Sequence, residues 1–207
     1  INNLPELSVI KINEFDFYKT LYNDCQIIVA ISGVGLKNTI RCCSILINNF
    51  HIEHIINYGS CGALNPQYNC GDIVLPNKFL YLNELSKKIY EISNINKNSK
   101  AIPNNHSINS TFLRYGSLVC VDSFITKDMK KKYGTLNVDI VDMESAGLVY
   151  TANYYKIPVS SFKIVIDDYT HSTNNMDEYL KLENEILIKS QKQMNIVLKN
   201  YISNYIL

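Results

Sequence analysis

Between Ile55 and Leu64 the chain reads Ile-Ile-Asn-Tyr-Gly-Ser-Cys-Gly-Ala-Leu. No other stretch constrains the fold as strongly. An apolar run that breaks into glycines flanking a hydroxyl and a thiol predicts a buried strand feeding a tight turn. Glycine permits φ > 0 there and lets a ligand approach the backbone. A purely structural turn would use the same residues, so the meaning of Gly59-Ser60-Cys61-Gly62 depends on what the rest of the chain brings to it.

Taken in order, Ser8 to Ile12 and Phe15 to Tyr22 alternate β-branched and aromatic residues with polar ones, and Asn23-Asp24 is a polar turn. With the apolar run from Gln26 to Ser32 they predict a hairpin leading into a buried strand. Ser32-Gly33-Val34-Gly35 then opens a segment with Leu36, Ile40, Cys43 and Ile47 on one helical face. Strand, glycine turn and helix in that order present backbone N–H groups where an anion or an electronegative ligand atom is favoured. The spacing is not the dinucleotide fingerprint, and no nicotinamide site is expected.

Gly71 to Pro76 reads as another short strand. The polar stretch 83–113 predicts a short helix near Glu84 to Ile92 and then a long excursion. Strands are expected from Tyr115 to Val121 and from Val138 to Val141, and a helix from Ser145 with Ala146, Val149, Tyr150 and Asn153 along one side. A last strand runs from Val159 to Ile166. The closing helix spans Met176 to Tyr201, with Asn175 and Glu178 as a capping box and Leu182, Ile186, Met194 and Val197 facing inward. Strands alternating with helices predict an α/β fold with a mixed sheet. At 207 residues, 46% hydrophobic, the chain suits one domain over 1–207.

Net charge is +1, and the only basic run is Lys130-Lys131-Lys132, which argues against nucleic acid as a partner. No apolar run approaches the roughly 20 residues that cross a bilayer. The six cysteines, at 25, 42, 43, 61, 70 and 120, lie mostly in apolar segments without metal-ligand spacing. They are expected to be reduced core residues of a cytoplasmic protein with no zinc or other metal site and no cofactor.

Ligands in such sheets gather at the carboxyl ends of strands. Those ends carry Ser32-Gly33 and Gly59-Ser60, suited to an anion or a water, and Phe124, able to stack on a flat ring. They also carry two carboxylates after apolar strands, Glu144 in Asp142-Met143-Glu144 and Asp167 in Asp167-Asp168. A carboxylate accepting two hydroxyl hydrogen bonds suits a vicinal diol, and a heterocyclic leaving group needs a proton donor. Cleavage of a ribose–base bond passes through an oxocarbenium-like state, as in glycoside hydrolysis, and combines these two requirements.

Ser32-Gly-Val-Gly35, Ile55 to Leu64, Gly71-Asp-Ile-Val74, Val121-Asp-Ser-Phe-Ile125, Val141-Asp-Met-Glu-Ser-Ala146 and Lys163-Ile-Val-Ile-Asp167 follow one another as in a known family. Over about residues 10–205 the chain resembles the purine nucleoside phosphorylase and uridine phosphorylase superfamily. Within it, the chain is most similar to the methylthioadenosine/S-adenosylhomocysteine nucleosidases. The resemblance implies a three-layer αβα sandwich with a central mixed β-sheet. It implies that Glu144, with the backbone of Met143, holds the ribose 2′ and 3′ hydroxyls, and that Asp167 protonates the purine N7. Phe124 would stack on the base, the backbones of Phe124 and Ile125 would read its edge, and Ser60 would contact phosphate or the attacking water. For Glu144 the structural alternative is a helix-terminus charge, and for Asp167 a loop cap, with Asp168 able to exchange roles with it.

The sequence also departs from that pattern. Lys163 and Ile166 stand where the nucleosidases usually place arginine and serine, so the hydroxyl that would orient the acid is missing. The family's first strand, with its water-activating acid, is expected upstream of Ile1. The only arginines are Arg41 and Arg114, and Asn57 precedes Gly59 where phosphorylases carry arginine, which favours hydrolysis over phosphorolysis. The expected function is hydrolysis of adenosine-type nucleosides, 5′-methylthioadenosine or S-adenosylhomocysteine, to adenine and a ribose derivative. A phosphate-dependent purine nucleoside phosphorylase and a nucleoside-binding protein without turnover are the alternatives. Low charge and 15 tyrosines, together with the resemblance, imply a homodimer whose neighbour completes each pocket.

Overall fold

The computed structural model describes residues 7–92, 113–169 and 173–205. Strands β1 (Ser8–Ile12), β2 (Phe15–Tyr22) and β3 (Cys25–Ala30) form a separate antiparallel sheet in that order. Asn23 and Asp24 turn β2 into β3 with φ of 47° and 61°, the left-handed pair that a two-residue hairpin turn requires. The expected burial of the third strand does not hold. β3 is only half-buried, and among the described residues it pairs with β2 alone and stays outside the main sheet. The small sheet lays Phe15 and Phe17 on Cys42, Ile45 and Leu46 of helix α1 (Leu36–Asn49). The opposite side of α1, with Leu36, Cys43 and Ile47, packs on the main core, so the helix lies between two sheets.

The main sheet contains β4 (Ile55–Ala63), β5 (Ile73–Asn83), β6 (Lys88–Ile92), β7 (Leu113–Cys120), β8 (Ile140–Asp142) and β9 (Val159–Asp167), in the order β6-β5-β7-β8-β4-β9. It is mixed, as expected: β4 with β9, β5 with β7 and β7 with β8 are parallel, whereas β5 with β6 and β4 with β8 are antiparallel. A short antiparallel pairing of Ile73 and Val74 with Ile164 and Lys163 also joins β5 to β9. The sheet thus curls back on itself, joining β5, β7, β8, β4 and β9 in a ring. Helix α2 (Lys127–Tyr133) lies between β7 and β8, and helix α3 (Ser145–Tyr154) follows β8.

Layering follows from alternation along β9, every residue of which is buried. Phe162, Ile164 and Ile166 face Ile186, Met194 and Val197 of the last helix, α4 (Met176–Tyr205). Val159 and Val165 join the opposite core with Ala146, Val149 and Ala152 of α3 and with Cys43 of α1. The result is the three-layer αβα sandwich. At the start of α4 Asn175 Oδ1 accepts the Glu178 N–H (3.0 Å), and Glu178 Oε2 accepts the Asn174 N–H (3.0 Å), a capping box that reaches back one residue further than expected.

Two further expectations fail. Residues Glu84 to Ile92 are not a helix but the turn and second strand of a hairpin, in which β6 pairs with β5 from Phe79↔Ile92 to Asn83↔Lys88. Among the described strands β6 lies at the edge, exposed on both faces, so its sequence shows no alternation. Tyr150 points outward, 64% exposed, because Ala146, Val149 and Ala152 fill the inner side of α3. The long excursion expected after Ile92 lies at 93–112, outside the described residues.

Candidate active site

Gly59-Ser60-Cys61-Gly62 is not a turn. It lies within β4, which continues to Ala63, and neither glycine has positive φ. Both glycines face close neighbours. A Cβ on Gly59 would lie 3.4 Å from Lys163 Nζ, and one on Gly62 would lie 3.3 Å from Val141 Cγ1 and 3.7 Å from the Asp167 carbonyl oxygen. The register with β9 shifts between Cys61 and Gly62, which places Gly62 opposite Asp167, and Gly62 and Ala63 also pair with Val141 and Ile140 of β8. β8 runs antiparallel to β4, so the chain beyond Val141 travels back alongside Cys61, Ser60 and Gly59. The ends of β8 and β9 are therefore strung along one glycine-bearing strand, with Asp167 at the Gly62 end and Lys163 opposite Gly59.

At the Gly59 end, Glu144 Oε1 accepts the Gly35 N–H (2.8 Å) and Oε2 accepts the Met143 N–H (3.2 Å). Gly35 is the residue that caps α1, with φ of 95°, so the expected anion site at that helix terminus is taken by the protein's own carboxylate. Gly147 permits this arrangement, because a Cβ there would lie 2.8 Å from the Leu36 carbonyl oxygen and would force α1 away from α3. Each Glu144 oxygen keeps a lone pair for another donor. Beneath it, buried Lys163 donates to Asp142 Oδ2 (2.9 Å), which also accepts the Ser145 hydroxyl, and Asn57 joins Ser145 (2.9 Å) to Ser161 (3.1 Å). Burial, then repulsion from Asp142, pushes Glu144 above its ordinary pKa, opposed by Lys163 and the two N–H donors. Burial alone would push Lys163 down, but Asp142 and Glu144 outweigh it and leave it raised.

At the Gly62 end Asp167 is 2% exposed. Its Oδ1 accepts Lys130 Nζ in an ion pair, and its Oδ2 accepts the Thr173 hydroxyl (3.0 Å). Asp168 is engaged differently: its Oδ2 accepts the Cys70 N–H (2.8 Å) and holds the loop before β5. Lys130 and Thr173 were not singled out in the sequence, Lys130 because it sits in what reads as a solvated basic run.

Between the two ends lies Ser60, near Tyr179 of α4, whose hydroxyl pKa burial pushes up and Ser60 draws down. Tyr179 also meets Phe124 edge-on, with centroids 5.4 Å apart. Tyr179 is another neighbour that sequence patterning missed, although its place one turn into α4 offers a signal. Phe124 is half-buried and Ile125 is buried against Val121 and Val138. Ser32 and Gly33 precede the Gly35 contact on an exposed turn, where the Ser32 hydroxyl donates to the Gly33 carbonyl (3.2 Å). Cys61 is no nucleophile, since burial pushes its thiol far up. Among the described residues no group of three His, Cys, Asp or Glu is placed to hold a metal ion, and no helix is long and apolar enough to cross a membrane.

Comparison with known proteins gives the family and the fold. The family model of the phosphorylase superfamily matches residues 1–203, and the chain belongs to that family. It is 31% identical to the 5′-methylthioadenosine/S-adenosylhomocysteine nucleosidase of Buchnera aphidicola subsp. Schizaphis graminum, covering 96% of this chain and 88% of the relative. It is 27% identical to the nucleosidase of the same name from Staphylococcus aureus, covering 80% and 79%. In fold it matches the Neisseria meningitidis 5′-methylthioadenosine/S-adenosylhomocysteine nucleosidase in complex with methylthio-immucillin-A. The TM-score is 0.75 at 16% identity, over 96% of this chain and 91% of that one. It also matches the futalosine hydrolase of Helicobacter pylori, with a TM-score of 0.76 at 19% identity over 95% and 88%.

Proposed function

We propose that the chain hydrolyses the N-glycosidic bond of adenosine-type nucleosides, 5′-methylthioadenosine or S-adenosylhomocysteine, to adenine and a ribose derivative. The observation that carries this reading is the placing of two differently held carboxylates along β4. Glu144 is pinned by two N–H groups with lone pairs left over, and Asp167 stands at the other end of Gly59–Gly62. Three strand residues span roughly 10 Å, room for a ribose diol and a purine N7 with a hydrogen bond at each end. In this reading Glu144 accepts the 2′ and 3′ hydroxyls beside the Met143 backbone. Asp167 delivers a proton to N7 as the bond to the anomeric carbon breaks. Phe124 stacks on the base with Ile125 behind it, and Ser60 and the Ser32-Gly33 turn face the water side.

Hydrolysis rather than phosphorolysis is favoured by the fate of the cations. Arg41 pairs with Glu14 beside the small sheet, and Arg114 pairs with Asp72 (2.9 Å) at the start of β7, so neither offers a guanidinium fork to phosphate at the site. The α1 terminus is filled by Glu144. The test is adenine release from 5′-methylthioadenosine with and without inorganic phosphate. Equal rates are expected, and turnover only with phosphate would make the enzyme a phosphorylase. Binding without product would make it a nucleoside-binding protein.

The same reading places the protein in nucleoside catabolism and methionine salvage in the cytoplasm, as a homodimer. Exposed Tyr90, Tyr150 and Tyr154 line an apolar groove of about 590 Å³ between β6 and α3, which suits a second copy. A light-scattering mass near the 23.7 kDa of one chain would refute the dimer.

A further inference from the structure

Lys130 is the one member of Lys130-Lys131-Lys132 drawn inside, 2% exposed, while its two neighbours face solvent. Its ammonium group donates to Asp167 Oδ1, to the Asp167 carbonyl (2.9 Å) and to the Asp168 carbonyl (3.2 Å), so every donor is spent on the end of β9. The Thr173 hydroxyl takes Asp167 Oδ2 (3.0 Å), and the Thr173 carbonyl accepts the Lys127 N–H (3.1 Å), which ties the start of α2 to the same place. Ile166, the residue before the acid, has no hydroxyl to offer. Burying an ammonium group costs several kcal/mol, and a buried ion pair is a poor device for stability alone. Here both carboxylate oxygens are held from different elements, which fixes the plane of the group as well as its position.

We propose that Lys130 is a positioning residue for glycosidic cleavage: it anchors the end of β9 and, with Thr173, sets the Asp167 carboxylate against the leaving base. The role rests on Asp167 being the acid, as read above. Orientation of this kind matters to the chemical step and not to holding the substrate, because a displacement of about 1 Å costs on the order of 10²-fold in rate.

The experiment compares 5′-methylthioadenosine, whose base must be protonated to leave, with the 4-nitrophenyl glycoside of 5-methylthioribose, whose phenolate leaves without a proton. Lys130→Met should lower kcat on the nucleoside about 10²-fold with KM changed by no more than about threefold, and leave the aryl glycoside untouched. Thr173→Val should act in the same sense by about tenfold, as expected for one neutral hydrogen bond. Equal losses on both substrates, or no loss on the nucleoside, overturn the proposal. If circular dichroism shows Lys130→Met unfolded, the same criteria applied to Thr173→Val decide. Asp167→Asn separates the two layers of the argument. Nucleoside turnover retained in that variant refutes the acid itself, whereas turnover lost there and kept in Lys130→Met refutes only the lysine.

Discussion

The ends of β8 and β9 use the same materials for different purposes. Each carries aspartate beside a lysine that is almost wholly buried, Asp142 with Lys163 and Asp167 with Lys130. At β8 the pair is complete in itself, and the group that faces the site is Glu144, two residues on and held by the N–H groups of Gly35 and Met143. At β9 the lysine bonds directly to the proposed acid, and Thr173 takes its second oxygen. The charge under Glu144 is a foundation, whereas the charge on Asp167 bears directly on the proposed acid. The two pairs therefore differ in whether the carboxylate bound to the lysine is itself the group proposed to meet the substrate.

The difference predicts which end carries the chemistry. Asp167→Asn keeps the shape but not the dissociable proton, and should lower kcat on the nucleoside by about 10²- to 10⁴-fold while binding stays measurable. Full activity would make the β9 pair as structural as the β8 pair.

Next in size is Lys163→Met. It leaves Asp142 buried and uncompensated, and should cost about 3–5 kcal/mol of unfolding free energy in urea titrations. The double variant Lys163→Met/Asp142→Asn should recover a large part of that, because no lone charge remains. A loss in the single variant confined to catalysis, with stability unchanged, would erase the distinction between the two ends.

Much of this contrast could be read from the chain, and the unread part has physical reasons. Glu144 and Asp167 were legible because each follows a short apolar run, and α4 was legible from its cap and its inward stripe. Lys130 was not, because only tertiary packing distinguishes the buried lysine from Lys131 and Lys132, and its partner is 37 residues away. Thr173 and Tyr179 act through the way α4 returns over the sheet, which no local pattern encodes. Gly59 and Gly62 read as a turn in the sequence, whereas both lie inside β4. Glycine in a strand for close approach and glycine in a turn look alike in sequence, and only the latter has positive φ, as at Gly33 and Gly35. Glu84 to Ile92 reads as a helix in the sequence because β6, at the edge among the described strands and exposed on both faces, carries no period of two.

The smallest predicted effect distinguishes Glu144 from the buried pair beneath it, through pH. Burial and Asp142 raise the Glu144 pKa above the ordinary 4.5, so the native state holds that proton more tightly than the unfolded chain does. Between 4.5 and the raised value the folded protein binds more protons than the unfolded one, and stability falls as pH rises through that window. Glu144→Gln should therefore be more stable than the parent at neutral pH, with the gap closing below pH 4.5. Riboside binding should run the other way, because only the ionised carboxylate accepts from both ribose hydroxyls. Affinity for a riboside should weaken as pH is lowered through the same window, while affinity for free adenine follows no such limb. In Glu144→Gln the riboside should bind weakly at every pH. Calorimetric titration of the two ligands from pH 7.5 down to 4.5, alongside urea unfolding of both proteins, reads the two opposed slopes. A riboside affinity that is flat with pH, or one that falls equally in Glu144→Gln, would show that another group accepts the diol and leave Glu144 as a brace between α1 and α3.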